Sequence, residues 1–255
     1  MHLQSVSIIG AKGAMGRFFQ QRLQQAGLEV QTLDKPLDQN SLASCLPESD
    51  LILLAIPAQA FPQVLAEISS HLRNSTLLAD ICSVKIRPLK LMLRYHPGPV
   101  VGTHPLFGPE PEPDTSLRTA LIQGRNKNAL HQMQDLMQDI GLEPFFCSAN
   151  EHDRALAYIQ GLNFVSTVSY LAALTDDPGL ERFLTPSFRR RLDAARKMLT
   201  QDADLFQNLF EANPYSYEAV RQYRQFLNLA AAGELDLLQH KASWWWQERN
   251  KGGGM

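Results

Sequence analysis

A short apolar run that ends in a glycine-spaced turn and reopens as a helix constrains this chain more than any other feature. Val6-Ser7-Ile8-Ile9 leads into Gly10-Ala11-Lys12-Gly13-Ala14-Met15-Gly16. Met15, Phe18, Phe19, Leu23 and Ala26 then recur at helical spacing until Gly27, where a helix commonly stops. The implied order is strand, glycine turn, helix. Glycines in that turn let backbone amides at the helix N-terminus approach a pyrophosphate with no Cβ in the way, and the helix dipole favours the anion. The spacing is G-x-x-G-x-x-G, with Ala11 where a strict G-x-G-x-x-G frame wants its first glycine. Context therefore has to support the reading.

Support follows in the next segments. Leu28 to Asp34 reads as a second strand ending in a carboxylate, about 20 residues past the glycines, where a dinucleotide fold places its ribose ligand. Asp34 would accept from the adenosine 2′-hydroxyl and repel a 2′-phosphate, which favours NAD, while Lys35 beside it leaves NADP open. Asp50 to Pro57 is a nearly unbroken apolar strand, as a parallel sheet covered on both faces requires. Helical spacing runs from Phe61 to Leu72, and Ser75 to Asp80 supplies another strand before Ile81-Cys82-Ser83-Val84-Lys85. Val100-Val101-Gly102-Thr103-His104-Pro105 continues the pattern. A proline- and acid-rich loop from Pro109 to Ser116, a helix from about Ala129 to Ile140 and the run Pro144 to Cys147 finish it. Strands alternating with helices predict an α/β, Rossmann-type doubly wound sheet. Ligands bind outside the carboxyl ends of such strands, so Gly10 to Gly16, Asp34, Ile56-Pro57, Ser83 and His104 are expected to share one crevice.

His104 lies between two glycines and two prolines, which fix the backbone and aim one imidazole out of a strand end. A histidine can take a proton at neutral pH, so the position suits general-base work on a hydroxyl. From Glu151 onward the sequence is helical. Leu156, Ile159, Gln160, Asn163, Ser166 and Thr167 mark a long spine helix, and His152 reads as a residue of its first turn with no partner nearby in sequence. Thr185-Pro186 opens a helix with Arg189, Arg190, Arg191, Arg196 and Lys197 that runs to Asn213-Pro214, and Tyr217 to Ala231 and Glu234 to Gln247 complete a four-helix domain. Trp244-Trp245-Trp246 is expected to seal a helix or subunit contact. The boundaries are therefore 1–148 for a dinucleotide-binding domain, 149–250 for an all-helical substrate-binding and dimerisation domain, and 251–255 for a disordered tail.

A net charge of −2 gives no global attraction to nucleic acid or an anionic membrane, and no run of 18 apolar residues or basic leader is present. A cytoplasmic location is expected, with neither a nucleic acid nor a membrane as partner. Three cysteines, Cys45, Cys82 and Cys147, without metal-type spacing predict reduced thiols, with no disulfide and no metal.

Taken together, the loop Gly10 to Gly16 with Arg17-Phe18-Phe19, Asp80 to Lys85, Gly102 to Pro109, Glu151-His152-Asp153 and Ile159-Gln160 make the chain resemble the prephenate dehydrogenases, in the form without a fused chorismate mutase. That resemblance implies NAD-dependent oxidative decarboxylation of prephenate to 4-hydroxyphenylpyruvate in tyrosine biosynthesis, and homodimerisation through the helical domain. It implies that His104 takes the proton of the substrate 4-hydroxyl as hydride leaves, and that Ser83 bridges nicotinamide, substrate and His104. Gln160 falls among the substrate residues. The arginine for the substrate carboxylate matches Lys197, with Arg196 beside it, whereas helical periodicity favours Arg196. Asn163-Phe164 stands where some members carry Arg-His, and Phe206 where the family has a tyrosine, which touches feedback by tyrosine and side-chain recognition. Arogenate or amino-deoxyprephenate dehydrogenases share nearly every feature. A β-hydroxyacid dehydrogenase would need a lysine on the spine helix, and none lies between His152 and Tyr170. A cofactor-binding regulatory protein without turnover is a rival of another class, against which His104 and Ser83 count.

Overall fold

Leu51, Ile52, Leu53 and Leu54 are all fully buried, and the reason is the layer structure around them. In the computed structural model, which describes residues 3–174 and 177–247, seven strands form one sheet. They are β1 (Ser5–Ile9), β2 (Glu29–Leu33), β3 (Leu51–Leu54), β4 (Leu77–Asp80), β5 (Val100–Pro105), β6 (Arg118–Arg125) and β7 (Glu143–Phe146), in the order β2-β1-β3-β4-β5-β6-β7. All neighbours are parallel except β5 and β6, which the loop from Leu106 to Leu117 joins antiparallel. The sheet is mostly parallel and doubly wound, as the alternation predicts.

Six helices accompany it: α1 (Ala14–Gln25), α2 (Gln39–Cys45), α3 (Phe61–Ile68), α4 (Ile86–Tyr95), α5 (Lys127–Asp139) and α6 (Ala149–Leu156). The two-residue period of β3 divides its side chains between two apolar layers. Leu51 and Leu53 join Phe19 and Leu23 of α1 and Met133 and Met137 of α5. Ile52 and Leu54 join Leu42 of α2, Phe61 and Leu65 of α3 and Met92 of α4. Each fully buried leucine or phenylalanine contributes roughly 1.5–3 kcal/mol, so this sandwich is the main source of stability. The strand order reverses between β1 and β3, and a doubly wound sheet opens its crevice at that point, beyond the carboxyl ends of the strands.

The chain divides into two units. The first runs through Leu156 and also takes in Glu211–Asn213. It reaches beyond the expected end near Ser148 because α6 folds back on the sheet unit, burying His152, Asp153 and Leu156. The second unit, Ala157–Phe210 with Pro214 onward, is helical. It opens with a π-helical segment (Ala157–Leu162), followed by α7 (Asn163–Ala172), α8 (Pro186–Thr200), α9 (Ala203–Ala212, whose last two residues belong to the first unit), α10 (Ser216–Ala231) and α11 (Leu235–Ala242).

One expectation for this half needs correction. The helix expected from Thr185 to Asn213 is two helices, because the amides of Gln201 and Asp202 both donate to the Lys197 carbonyl and end α8. Trp245 and Trp246, at 68% and 81% exposed, lie in a short turn after α11. Within the unit, Phe164 stacks on Phe206 with centroids 5.7 Å apart. The expected tail, 251–255, lies outside the described residues.

Candidate active site

Gly10 follows β1 with φ +93°, a conformation that disfavours any side chain, and a Cβ there would stand 2.4 Å from the Ala55 carbonyl oxygen. A Cβ on Gly16 would stand 2.3 Å from the Gly10 carbonyl oxygen. These two glycines let the first turn of α1 close onto the end of β1. Gly13 caps α1 without a side-chain hydrogen bond, and no acidic residue occupies the first turn. The amides there face outward with a favourable dipole. Lys12 donates its amide to Asp34 Oδ1 at 3.0 Å, which brings the carboxylate after β2 to the same loop. Ile56 packs near Gly10, its Cγ2 lying 3.0 Å from where a Gly10 Cβ would be, and Pro57 follows at the exposed rim of β3. The loop from Gly10 to Gly16 thus has Asp34 against Lys12 and Ile56 against Gly10. Backbone donors beside a ribose-type carboxylate acceptor are the donor set a dinucleotide needs, and the Cβ-free turn leaves the close approach it requires.

Ser83 is half-buried in the segment that leaves β4, and His104 lies in β5, the next strand. The Phe107 ring meets Phe18 of α1 edge-on at 5.4 Å, tying the loop after His104 to the glycine-loop helix. His104 itself departs from expectation. It sits within the strand, only 3% exposed, with its Nδ1 held 2.8 Å from His152 Nε2. His152 Nδ1 in turn lies 2.8 Å from Asp153 Oδ1. Asp153 Oδ1 also accepts from the Lys85 amide at 2.7 Å, its Oδ2 accepts from the Ile86 amide at 2.9 Å, and its backbone carbonyl accepts from Asn213 Nδ2 at 2.7 Å. One carboxylate therefore supplies the N-terminus of α4 and the His152 ring together. Burial, then the neighbouring His152, then Lys85 hold the His104 pKa well below the ordinary 6.5. The imidazole is neutral at physiological pH.

Beneath it lies a fully buried ion pair. Lys85 Nζ donates to Asp80 Oδ2 at 2.5 Å and to the Thr103 carbonyl at 2.5 Å. Asp80 also accepts from the Cys82 amide at 3.0 Å. Burial pushes the Asp80 carboxyl above its ordinary value, and Lys85 pulls it back. Among the described residues no group of His, Cys, Asp and Glu is placed to hold a metal ion, and the three cysteines are free thiols.

Gln160, Arg196 and Lys197 belong to the second unit. Gln160 is half-buried in the π-helical segment, a local widening of a helix that often marks functional sites. Arg196 and Lys197 are exposed on α8, with Arg196 3.7 Å from Asp193.

His152, Asp153 and Asn213 were missed from sequence as site residues. A signal for the first two existed. Ser148 and Glu151 form a reciprocal capping box, with Ser148 N to Glu151 Oε2 at 2.8 Å and Glu151 N to Ser148 Oγ at 3.1 Å. That S-x-x-E spacing fixes where α6 starts and places His152 and Asp153 just after its capped first residues. No local pattern announces Asn213, which arrives from far along the chain.

Residues 11–138 match the family described as prephenate dehydrogenase, nucleotide-binding domain. A T-protein from Enterobacter agglomerans is 31% identical over 234 residues, covering 90% of this chain and 62% of its own. The chain thus spans less than two thirds of that relative's length. Two solved structures share the fold. Synechocystis arogenate dehydrogenase superposes with a TM-score of 0.76 at 16% identity, covering 94% of this chain and 97% of that one. A prephenate dehydrogenase from A. aeolicus, in complex with hydroxyphenyl propionate and NAD+, gives 0.74 at 18% identity, covering 95% and 96%.

Proposed function

The chain belongs to the prephenate dehydrogenase family, and on that premise we propose that it catalyses the NAD-dependent oxidative decarboxylation of prephenate to 4-hydroxyphenylpyruvate, with arogenate or an amino-deoxyprephenate as the alternative substrates. The observation that carries the reading is His104, a buried imidazole kept neutral at the carboxyl edge of the sheet whose glycine loop suits a dinucleotide. NAD, when bound, accepts a hydride from the substrate ring. His104 takes the proton of the hydroxyl on the carbon that loses hydride, which removes positive character from the ring. The ring carboxylate then departs as carbon dioxide, its bonding pair completes the aromatic ring, and the phenolate oxygen regains the proton from His104. Ser83 orients nicotinamide and substrate beside that base. Aromatisation drives the sequence, so the chain supplies orientation and one base.

The test is absorbance at the reduced-cofactor band with prephenate and arogenate in parallel. Turnover of neither would leave a binding protein and overturn the reading. Cofactor choice is a separate expected result. Asp34 repels a 2′-phosphate, so calorimetry should show NAD binding more tightly than NADP, and equal affinity would remove Asp34 from the ribose site.

The substrate carboxylate is assigned to the α8 pair. Lys197→Ala should raise KM for prephenate strongly and leave NAD affinity unchanged, with Arg196→Ala doing much less. A lysine holds a carboxylate as a point charge, without the bidentate fork of arginine. The opposite ranking would place the cation at Arg196. A homodimer through the helical unit and a cytoplasmic location complete the proposal. No described helix is long and apolar enough to cross a membrane.

A further inference from the structure

We propose that His152 and Asp153 are positioning residues that fix which nitrogen of His104 is bare, so that Nε2 of His104, and not Nδ1, is the proton acceptor. The inference rests on His104 being the base, and it follows from counting donors along one line of contacts. Both oxygens of Asp153 already accept backbone N–H groups, from Lys85 at 2.7 Å and Ile86 at 2.9 Å, so the carboxylate faces donors on every side. At 2.8 Å from the same Oδ1, His152 Nδ1 must therefore be a donor as well. With its one proton on Nδ1, His152 presents a bare Nε2. The His104 Nδ1 that lies 2.8 Å away must then donate, which leaves His104 Nε2 with its lone pair.

Left to itself in water, an imidazole prefers the opposite tautomer. The edge-to-face arrangement of the two rings, with centroids 5.0 Å apart and planes at 72°, keeps the Nδ1-to-Nε2 contact in line. His152 and Asp153 are 3% and 0% exposed, so water offers no substitute donor or acceptor. Asn213 completes the line by donating to the Asp153 carbonyl, pinning α6 at that residue. When His104 gains the substrate proton, its Nδ1–H points at a neutral acceptor backed by a carboxylate, which stabilises the imidazolium while it lasts. His152 and Lys85 are the titratable groups that bear on His104, Asp153 bears on His152, and Lys85, itself paired with Asp80, opposes the imidazolium that Asp153 favours.

The experiment is nitrogen-15 NMR of the histidine-labelled full chain, which reads tautomers directly and needs no substrate. In the wild type at neutral pH, His104 should show a protonated Nδ1 and a bare Nε2. A protonated Nε2 on His104, or a His152 carrying two protons, would overturn the proposal whatever the enzyme's activity. In His152→Ala, His104 should revert toward the Nε2–H form, kcat should fall about 10- to 100-fold with NAD affinity unchanged, and the acid limb of the rate profile should move. His152→Gln, whose amide oxygen can accept from Nδ1–H, should recover part of the rate. An unchanged tautomer and rate in the alanine variant would also overturn it. If the alanine variant does not fold, the wild-type tautomer still decides. Absence of turnover with every substrate, alongside the expected tautomer, would count against the proposed reaction and not against the positioning.

Discussion

Replacing His104 by asparagine should slow turnover by about 10²- to 10⁴-fold and leave NAD affinity as it was. Asparagine can hydrogen-bond at the position of the imidazole but cannot accept the hydroxyl proton, so the loss falls on kcat. The glycine loop and Asp34, which would hold the dinucleotide, contain no atom of His104. Stopped-flow absorbance with calorimetry alongside checks both halves. A variant that turns over normally places the base elsewhere. The pH profile carries the same argument. Because the pKa of His104 is depressed, the wild-type rate should stay level through pH 6.5 and fall only further toward acid. An acid limb centred at 6.5 or above would contradict burial as the cause. Stability follows with a definite sign. The unfolded chain takes up a proton near pH 6.5 that the folded chain refuses, so this contribution is present above 6.5 and is lost as pH falls below it. The asparagine variant should lack that component of acid destabilisation.

Lys85→Met should cost about 3–5 kcal/mol of stability, the usual consequence of stranding one partner of a buried ion pair. Asp80 is fully buried, and after the change it keeps only backbone donors from Cys82 and Thr103. The Thr103 carbonyl also loses its ammonium donor. The sign of the pH dependence discriminates this mechanism from simple loss of packing. Without the lysine the Asp80 carboxyl rises further, so the folded variant keeps its proton while the unfolded chain releases it. The deficit relative to wild type should therefore grow as pH rises through the carboxylate range and shrink in acid. Urea midpoints at two pH values measure it. A deficit independent of pH would show that lost packing, and not the stranded Asp80 carboxyl, causes it.

The parallel strands and the glycine turn were legible because their signals are local. Val6 to Ile9 ahead of Gly10, and the all-apolar Leu51 to Leu54, each permit few structures. Helices α2 and α4 escaped notice. α2 is short, from Gln39 to Cys45, and its start depends on Asp38 capping Ser41 rather than on apolar period. α4 begins at Ile86 under the distant control of Asp153, with no side-chain cap of its own. The break between α8 and α9 depends on two amides converging on the Lys197 carbonyl, which residue types alone do not announce. At the site the same division holds. His104 stood out through the prolines and glycines around it, whereas its contact with His152 joins positions that only the folded sheet brings together. His152 was correctly placed near a helix start, but its partner was out of sequence range.

The short return of the chain at Glu211–Asn213 makes the sheet unit discontinuous in sequence. Ala212 packs on the apolar layer that contains Phe61 and Leu65, and Asn213, 5% exposed, clasps the Asp153 carbonyl. The halves of this protein are for that reason not interchangeable modules. A fragment ending at Leu156 would carry every glycine of the loop and His104 itself, yet would leave the Asp153 carbonyl without Asn213. A chimaera that takes its helical half from a relative inherits a working first half only if the donor brings an equivalent amide to that place. Recombination at the apparent seam would cut a joint whose second stitch lies far downstream.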